Sequence, residues 1–242
     1  MTATPGYAEL VAAVRREGEA MLAAAKQGDV PVPTVGEWTM SDLLRHVAEV
    51  YTWVAHIVTE RVTERPPREP VSKDADPVLL VADALDELVS AFGTTDATTP
   101  VWNWSPQPDV AAFWARRMAH ESAIHRNDAQ RAHGVAQPID AELAHDGMDE
   151  LLDVIVPRVI ERDELELPAM TISFVATDEG SWHVRLEGSA ITRLEVAKEP
   201  DVTARGTASA LLLGAYGRVP WDILDVEGDA SRLETWSSTI HF

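Results

Sequence analysis

The sequence predicts an α+β protein in which an N-terminal four-helix bundle precedes a small α/β domain with an antiparallel sheet. Two observations predict this class. Apolar residues recur at helical spacing through the first half of the chain, whereas segments that alternate apolar and polar residues occur only after Pro138. Because a helical bundle and a sheet each need a core of their own, we expect two domains, residues 1–137 and 138–242.

The first half contains four segments with helical periodicity. The first ends near Gly28, beyond which Pro31 and Pro33 break the chain. Thr39 or Ser41 can cap the second, because a side-chain oxygen at that position accepts a hydrogen bond from the first turn. The predicted helices are residues 7–26, about 40–62, 77–92 and 110–132.

In the second half, period-2 segments alternate with shorter helical ones. Gly180 and Gly188 supply turns between strands. A helix at 143–160 is expected to be interrupted or ended near Pro157. The remaining predicted elements are strands at 171–176, 182–187, 191–197 and 201–205, and helices at 207–216 and 229–236.

The amino-acid composition limits the cellular compartment and the kinds of molecule that the protein is expected to bind. The chain has 242 residues and a net charge of −20, and such an acidic protein repels nucleic acid and anionic membrane. It has no cysteine, no apolar run near the roughly 20 residues of a membrane span, and no basic start typical of a signal peptide. We expect a cytoplasmic protein whose partners are small molecules. Its oligomeric state is left open, and a monomer is compatible with the sequence.

The fourth predicted helix carries the most informative pattern. At about 100° per residue, one side of it combines apolar residues with Glu121 and His125. Burying a carboxylate is costly unless it is paired or binds a metal ion, and Glu and His four residues apart can face the same ion. The residues on this side are Val110, Trp114, Met118, Glu121, His125, Asp128 and Ala132.

The second helix offers a third ligand, His46, beside its own apolar stripe. Two neutral imidazoles and one carboxylate suit zinc and leave a fourth position open. The alternative is structural, since Glu121 could pair with Arg117 or with His125 itself. We expect His120 to be exposed, because its helical angle points away from this face.

The tryptophan-rich segment Trp102-Asn103-Trp104 admits two interpretations. It could line a ligand cleft, or it could plug one end of the bundle, and the same two interpretations apply to Trp38. Sequence motifs for dinucleotide binding, for a phosphate-binding loop and for a serine-hydrolase nucleophile are absent.

Two segments resemble a known family. WTMSDLLRHV at 38–47 and FWARRMAHESAIHRNDA at 113–129 are similar to patterns of the mycothiol-dependent maleylpyruvate isomerase family, a mostly actinobacterial branch of the DinB-like helical superfamily. More loosely, segments 200–207, 214–218 and 228–230 resemble its small sterol-carrier-like C-terminal domain. The resemblance implies a DinB-like bundle at 1–137 that binds a divalent metal.

The resemblance also implies roles for individual residues. The family's metal ligands correspond to His46, Glu121 and His125, the same three that the helical pattern selects. A basic residue of the C-terminal domain is thought to assist catalysis in the isomerase. Arg218 is the best match for this catalytic role, and Arg205 is the second.

The implied function is that of a metal-dependent enzyme with mycothiol as cofactor or co-substrate. In the isomerase the thiol adds to an activated cis double bond, the bond rotates and the thiol leaves. A metal ion, expected to be zinc, would lower the thiol pKa. We expect either a maleylpyruvate-like isomerase or a thiol S-transferase. The alternatives are a zinc-dependent hydrolase of a small substrate and a non-catalytic binding or regulatory module.

Overall fold

The computed structural model describes residues 5–178 and 180–242. The described chain divides into two compact units, Pro5–Gln137 and Pro138–Phe242. No helix among these residues combines the length and the apolar character needed to cross a membrane. The assignment of the units as separate domains, the first of them metal-binding, stays a prediction.

The first unit consists of four long helices, as the sequence predicts. Thr39, rather than Ser41, caps the second helix and forms a capping box with Asp42. Asp76 caps the third, whose first residue is a proline. The helices are α1 (Tyr7–Ala25), α2 (Met40–Thr59), α3 (Pro77–Gly93) and α4 (Ala111–Ala132), and a 3-10 turn spans Pro33–Val35.

Helices α2 and α4 are antiparallel neighbours in this bundle. His46 contacts Glu121, and seven residues later on α2 the Trp53 ring meets the ring of Trp114, seven residues earlier on α4. Seven residues are two helical turns, so both contacts recur on the same faces. Helix α1 packs mainly on α4, and α2 mainly on α3. The largest fully buried side chains of the unit include Tyr51, Phe92, Trp114, Met21 and Leu43.

Helix α4 is buried on more than one face, which overturns one expectation. His120, expected to be exposed, is only 1 % exposed. A helical wheel assumes one buried face, but α4 packs on α1, on α2 and on the 3-10 turn. Polar residues of α4 are therefore buried as well, namely Arg117, Ser122, Arg126, Asn127 and Asp128.

The tryptophan-rich loop packs against the bundle. The Trp114 indole donates a hydrogen bond to the carbonyl of Trp102 at 2.6 Å, and Trp53 packs edge-on against both rings. Trp104 meets Phe113 edge-on at 5.5 Å. These contacts favour the interpretation that the loop closes one end of the bundle.

The second unit combines helices with one sheet. The helix expected at 143–160 is present in two parts, joined by a π-helical stretch, Leu151–Ile155, and Pro157 lies in the first turn of the second part. The helices are α5 (Ala141–Glu150), α6 (Val156–Arg162), α7 (Ala208–Ala215) and α8 (Ser231–Thr239). The strands are β1 (Leu167–Ala176), β2 (Ser181–Gly188), β3 (Ala190–Leu194), β4 (Val202–Gly206) and β5 (Asp225–Gly228).

The α+β class is confirmed, but the sheet is mixed rather than wholly antiparallel. Its order is β3-β2-β1-β4-β5, and β1 pairs with β4 in parallel. The chain leaves β3 at one edge and returns on the far side of β1, so β4 is not a hairpin partner of β3. One face of the sheet is apolar, where Phe174 packs against Trp221 and Trp236.

Candidate metal centre

Two helices of the first unit bring His46, Glu121 and His125 together. His46 lies on α2, and the other two lie one turn apart on α4. One ligand atom from each residue lies within 4.8 Å of the other two. The antiparallel contact between α2 and α4 therefore assembles the set that the helical periodicity and the resemblance both indicate.

Glu121 stands between the two histidines. Its Oε1 lies 3.3 Å from Nε2 of His46 and 3.3 Å from Nε2 of His125. The two rings lie edge to face, with centroids 5.2 Å apart. One carboxylate oxygen and two ring nitrogens thus converge on a common point.

The second oxygen of Glu121 is held by Arg117. The Arg117 Nη2 donates to Oε2 at 2.8 Å, one turn earlier on α4, and the Arg117 side chain is buried. This is the ion pair that the structural interpretation expects. It does not compete with the cluster, because it uses Oε2 and leaves Oε1 directed at the histidines.

His125 is held from its other side. Its Nδ1 lies 3.0 Å from Oδ2 of Asp128, and Asp128 is fully buried. The Thr34 hydroxyl donates to Oδ1 of Asp128 at 2.7 Å. Because Nδ1 faces Asp128, the Nε2 of His125 faces Glu121.

Without a metal ion, the cluster is an internal ion pair. Burial alone would raise the pKa of Glu121, but the charge of His125, hydrogen bonds from His125 and His46 and the charge of Arg117 hold it well below its usual range. Burial opposes a charge on His125, yet Glu121 and Asp128 raise its pKa to about 9. A metal ion would take the place of the proton that His125 and Glu121 otherwise share.

The donor set fits a divalent ion such as zinc. Zinc binds imidazole nitrogen and carboxylate oxygen at about 2 Å, so two tetrahedral ligand atoms lie about 3.3 Å apart. The Nε2–Oε1 separations of His46 and His125 from Glu121 have this value. Asp128 supplies the hydrogen-bonded carboxylate that usually accompanies a metal-binding histidine.

The segment before α2 supports His46. Thr39 pairs with Pro31 in an isolated β-bridge, and its capping box with Asp42 fixes the start of the helix. Trp38, half-buried, lies against the His46 ring with centroids 5.1 Å apart. This contact covers one side of the imidazole.

Arg218, the catalytic residue suggested by the resemblance, belongs to the second unit. It follows α7, is half-buried, and donates from Nη1 to the carbonyl of Tyr216 at 2.9 Å. Arg205, the second choice, lies on β4 and donates to Glu227 at 3.4 Å. The catalytic role of either arginine stays a prediction.

Two residues that support the site, Asp128 and Thr34, could not be assigned to it from the sequence pattern. Asp128 falls on the buried face of α4 in the sequence pattern, but nothing there indicates that it binds His125. Thr34 lies 94 residues from Asp128 in the chain, and no periodicity connects them.

The fold and the cluster define a protein with a four-helix unit that presents two histidines and one carboxylate suited to a metal ion, followed by an α+β unit. The chain belongs to the mycothiol-dependent maleylpyruvate isomerase family. The family model "Mycothiol maleylpyruvate isomerase N-terminal domain" matches residues 7–130, and "MDMPI C-terminal domain" matches residues 142–235.

Two solved structures have the same fold. One is the mycothiol-dependent maleylpyruvate isomerase, with a TM-score of 0.62, and the other is a histidine-to-alanine mutant of it, with a TM-score of 0.64. Each is 16 % identical to this chain, and each comparison covers 94 % of this chain and 96 % of the other. No curated protein matches the chain.

Proposed function

We propose that this protein is a metal-dependent enzyme that uses mycothiol as cofactor or co-substrate, in a maleylpyruvate-like isomerisation or a thiol S-transfer. The observation that carries the proposal is the cluster of His46, Glu121 and His125, in a chain that both family models cover. The reaction would take place in the cytoplasm, where small thiols are kept reduced.

His46 and His125 would hold the ion through Nε2, and Glu121 through Oε1. When bound, a zinc ion would lower the pKa of a coordinated thiol, so that the thiolate is available at neutral pH. The chain has no cysteine of its own, so a thiol nucleophile has to come from a small molecule.

The charges at the cluster favour an anionic ligand. Two neutral imidazoles and one carboxylate leave a divalent ion with one net positive charge. The positive charge of Arg117 and the negative charge of Asp128, which lie on opposite sides of the cluster, offset each other. A thiolate would neutralise the remaining charge.

The protein's own residues would keep this arrangement rigid. Arg117 fixes the orientation of the Glu121 carboxylate, and Asp128 fixes that of the His125 ring. Trp38 packs on His46 and excludes water from that side of the ring. Rigid ligands keep the ion at one position, which a reacting thiol and an electrophile both require.

Arg218 is the proposed recognition group for a substrate carboxylate. Its guanidinium donates a hydrogen bond to the carbonyl of Tyr216 in its own turn and lies 6.0 Å from the centre of the Tyr216 ring. An arginine fork binds a carboxylate through two parallel hydrogen bonds, which suits a small dicarboxylic substrate.

Calorimetric titration of the zinc-loaded protein with mycothiol tests the proposal. We expect binding with release of about one proton per site, measured as a dependence of the heat on the ionisation enthalpy of the buffer. Absence of heat and of proton release at millimolar thiol would reject the thiol mechanism and favour a zinc hydrolase or a binding module. The control is the variant His125→Ala, which should show neither signal.

A further inference from the structure

Asp128 lies on the side of His125 that faces away from the cluster. Its Oδ2 is 3.0 Å from Nδ1 of the imidazole, whereas the ring's Nε2 faces Glu121. Asp128 is therefore not a further ligand of the same ion. It is fully buried, so its charge has to be compensated inside the protein.

We infer that Asp128 and Thr34 are positioning residues, which hold the His125 ring so that Nε2 is the atom offered to the metal ion. This inference rests on the proposed metal site. A carboxylate accepts hydrogen bonds and does not donate them, so Nδ1 of His125 is the donor in this contact. The proton on Nδ1 leaves the lone pair of Nε2 free for the ion.

Thr34 sets the direction of the Asp128 carboxylate. Its hydroxyl donates to Oδ1 at 2.7 Å, so the other oxygen, Oδ2, is left for His125. Thr34 lies in the 3-10 turn Pro33–Val35, which packs against α4. The contact therefore links α4 to a segment that lies far from it in sequence.

The segment that contains Thr34 also contacts His46, the third proposed ligand. Residues 30–40 form a closed loop, in which Val32 N–H donates to the Trp38 carbonyl at 2.8 Å and Met40 N–H donates to the Val30 carbonyl at 2.8 Å. Through Thr34 this loop supports His125, and through Trp38 it packs on His46. One loop thus positions ligands that belong to two different helices.

The experiment compares Zn²⁺ affinity, measured by competition with a chromophoric chelator, in the wild type, Asp128→Asn, Thr34→Val and Thr34→Ser. Loss of a carboxylate behind a metal-binding histidine typically costs about 10- to 100-fold in metal affinity, and we expect this loss in Asp128→Asn. Thr34→Val should show a smaller loss in the same direction. Thr34→Ser keeps the hydroxyl and should restore the wild-type value.

Two controls separate positioning from general stability. Asp76→Ala removes the side chain that caps α3, and Thr94→Val removes a hydroxyl that donates to the Ser90 carbonyl at the end of that helix. Both should lower the melting temperature without changing Zn²⁺ affinity. The absorption bands of Co²⁺-substituted protein give a second readout, since they should shift in Asp128→Asn and in Thr34→Val but in neither control.

The outcomes are distinguishable. A wild type that binds no Zn²⁺ would overturn the proposed metal site and this inference together. Wild-type affinity and unchanged Co²⁺ bands in a folded Asp128→Asn would overturn this inference alone. If Asp128→Asn does not fold, the two Thr34 variants provide the test. Equal Zn²⁺ affinities of Thr34→Val and Thr34→Ser would then contradict the inference.

Discussion

The Nε2 of His46 lies 3.3 Å from the Oε1 of Glu121, although 75 residues separate them in the chain. The antiparallel pairing of α2 and α4 makes this contact, and the Trp53–Trp114 contact two turns away fixes the same register. A slip of one residue in that register would rotate His46 away from the cluster. The candidate site therefore depends on packing that lies some distance from it.

Metal content is the most direct prediction. We expect about one Zn²⁺ per chain, lost in His125→Ala and in His46→Ala, because two ligands hold zinc far less firmly than three. His56→Ala is the matched control, since His56 is an exposed histidine on the same helix as His46. Elemental analysis after gel filtration gives the stoichiometry. Wild-type protein without metal, prepared in the absence of chelators, would reject the site.

The charge of Glu121 should matter for metal binding and for stability. Glu121→Gln keeps the shape but removes the charge next to buried Arg117, so it should weaken metal retention and also lower activity. It should also lower the unfolding free energy of the metal-free protein by roughly 3 kcal/mol. Glu19→Gln is the control, because Glu19 forms an ion pair of the same helical spacing with Arg15 in solvent. Glu19→Gln should lower the unfolding free energy, measured in urea, by about 0.5 kcal/mol or less.

Arg218 should affect turnover of acidic substrates and leave the metal in place. Loss of one hydrogen bond to a charged group is worth about 1.5 kcal/mol, so Arg218→Ala should lower kcat/KM about tenfold or more. Arg218→Lys should keep part of the activity. Arg185→Ala, at an exposed arginine of β2, should leave kcat/KM unchanged. A loss of zinc from Arg218→Ala would contradict a role confined to the substrate.

The capping box of α2 should give the unfolding free energy a defined pH dependence. The Thr39 backbone N–H and hydroxyl donate to Asp42 and lower the pKa of its carboxyl below 3.8. Because the pKa is lower in the folded state, Asp42 stabilises the protein above its unfolded pKa and loses this effect as pH falls through the folded value. The difference between wild type and Asp42→Asn should therefore be constant from about pH 7 to pH 5 and shrink below pH 3.8.

The cap itself can be tested on the same helix. Thr39→Ala should lower the unfolding free energy by about 1 kcal/mol, measured in urea. Thr52→Ala, at an exposed site in the middle of α2, should be neutral or slightly stabilising, because alanine is the better helix former. Equal effects of the two changes would show that the cap contributes nothing.

Replacing two glycines by alanine distinguishes the effect of backbone strain from that of steric clash. Gly228, at the end of β5, has φ +95°, and an added Cβ would lie 2.5 Å from the backbone oxygen of Asp201. Gly217 has φ +69° with open space around it. Gly217→Ala should lower the unfolding free energy by about 1 kcal/mol because of its φ alone. Gly228→Ala should lower it by clearly more, because its Cβ would also clash with the backbone. Similar melting temperatures of the two variants would contradict the predicted clash.

The sequence by itself determined the elements that follow from local periodicity. The four bundle helices were predicted within a few residues of their ends, because each has an apolar stripe and a clear stop. The side of α4 that carries Glu121 and His125 was predicted for the same reason. Strand β5 was missed because Asp225–Gly228 is short and polar, and only its pairing with β4 makes it a strand.

The tertiary structure decided everything that depends on which elements meet. The approach of His46 to Glu121, the parallel pairing of β1 and β4 and the burial of His120 are contacts between segments far apart in the chain. The hydrogen bond between Thr34 and Asp128 is of the same kind. Periodicity tells which face of a helix is buried, but the partner of that face is chosen by packing of the whole bundle, which no local pattern encodes.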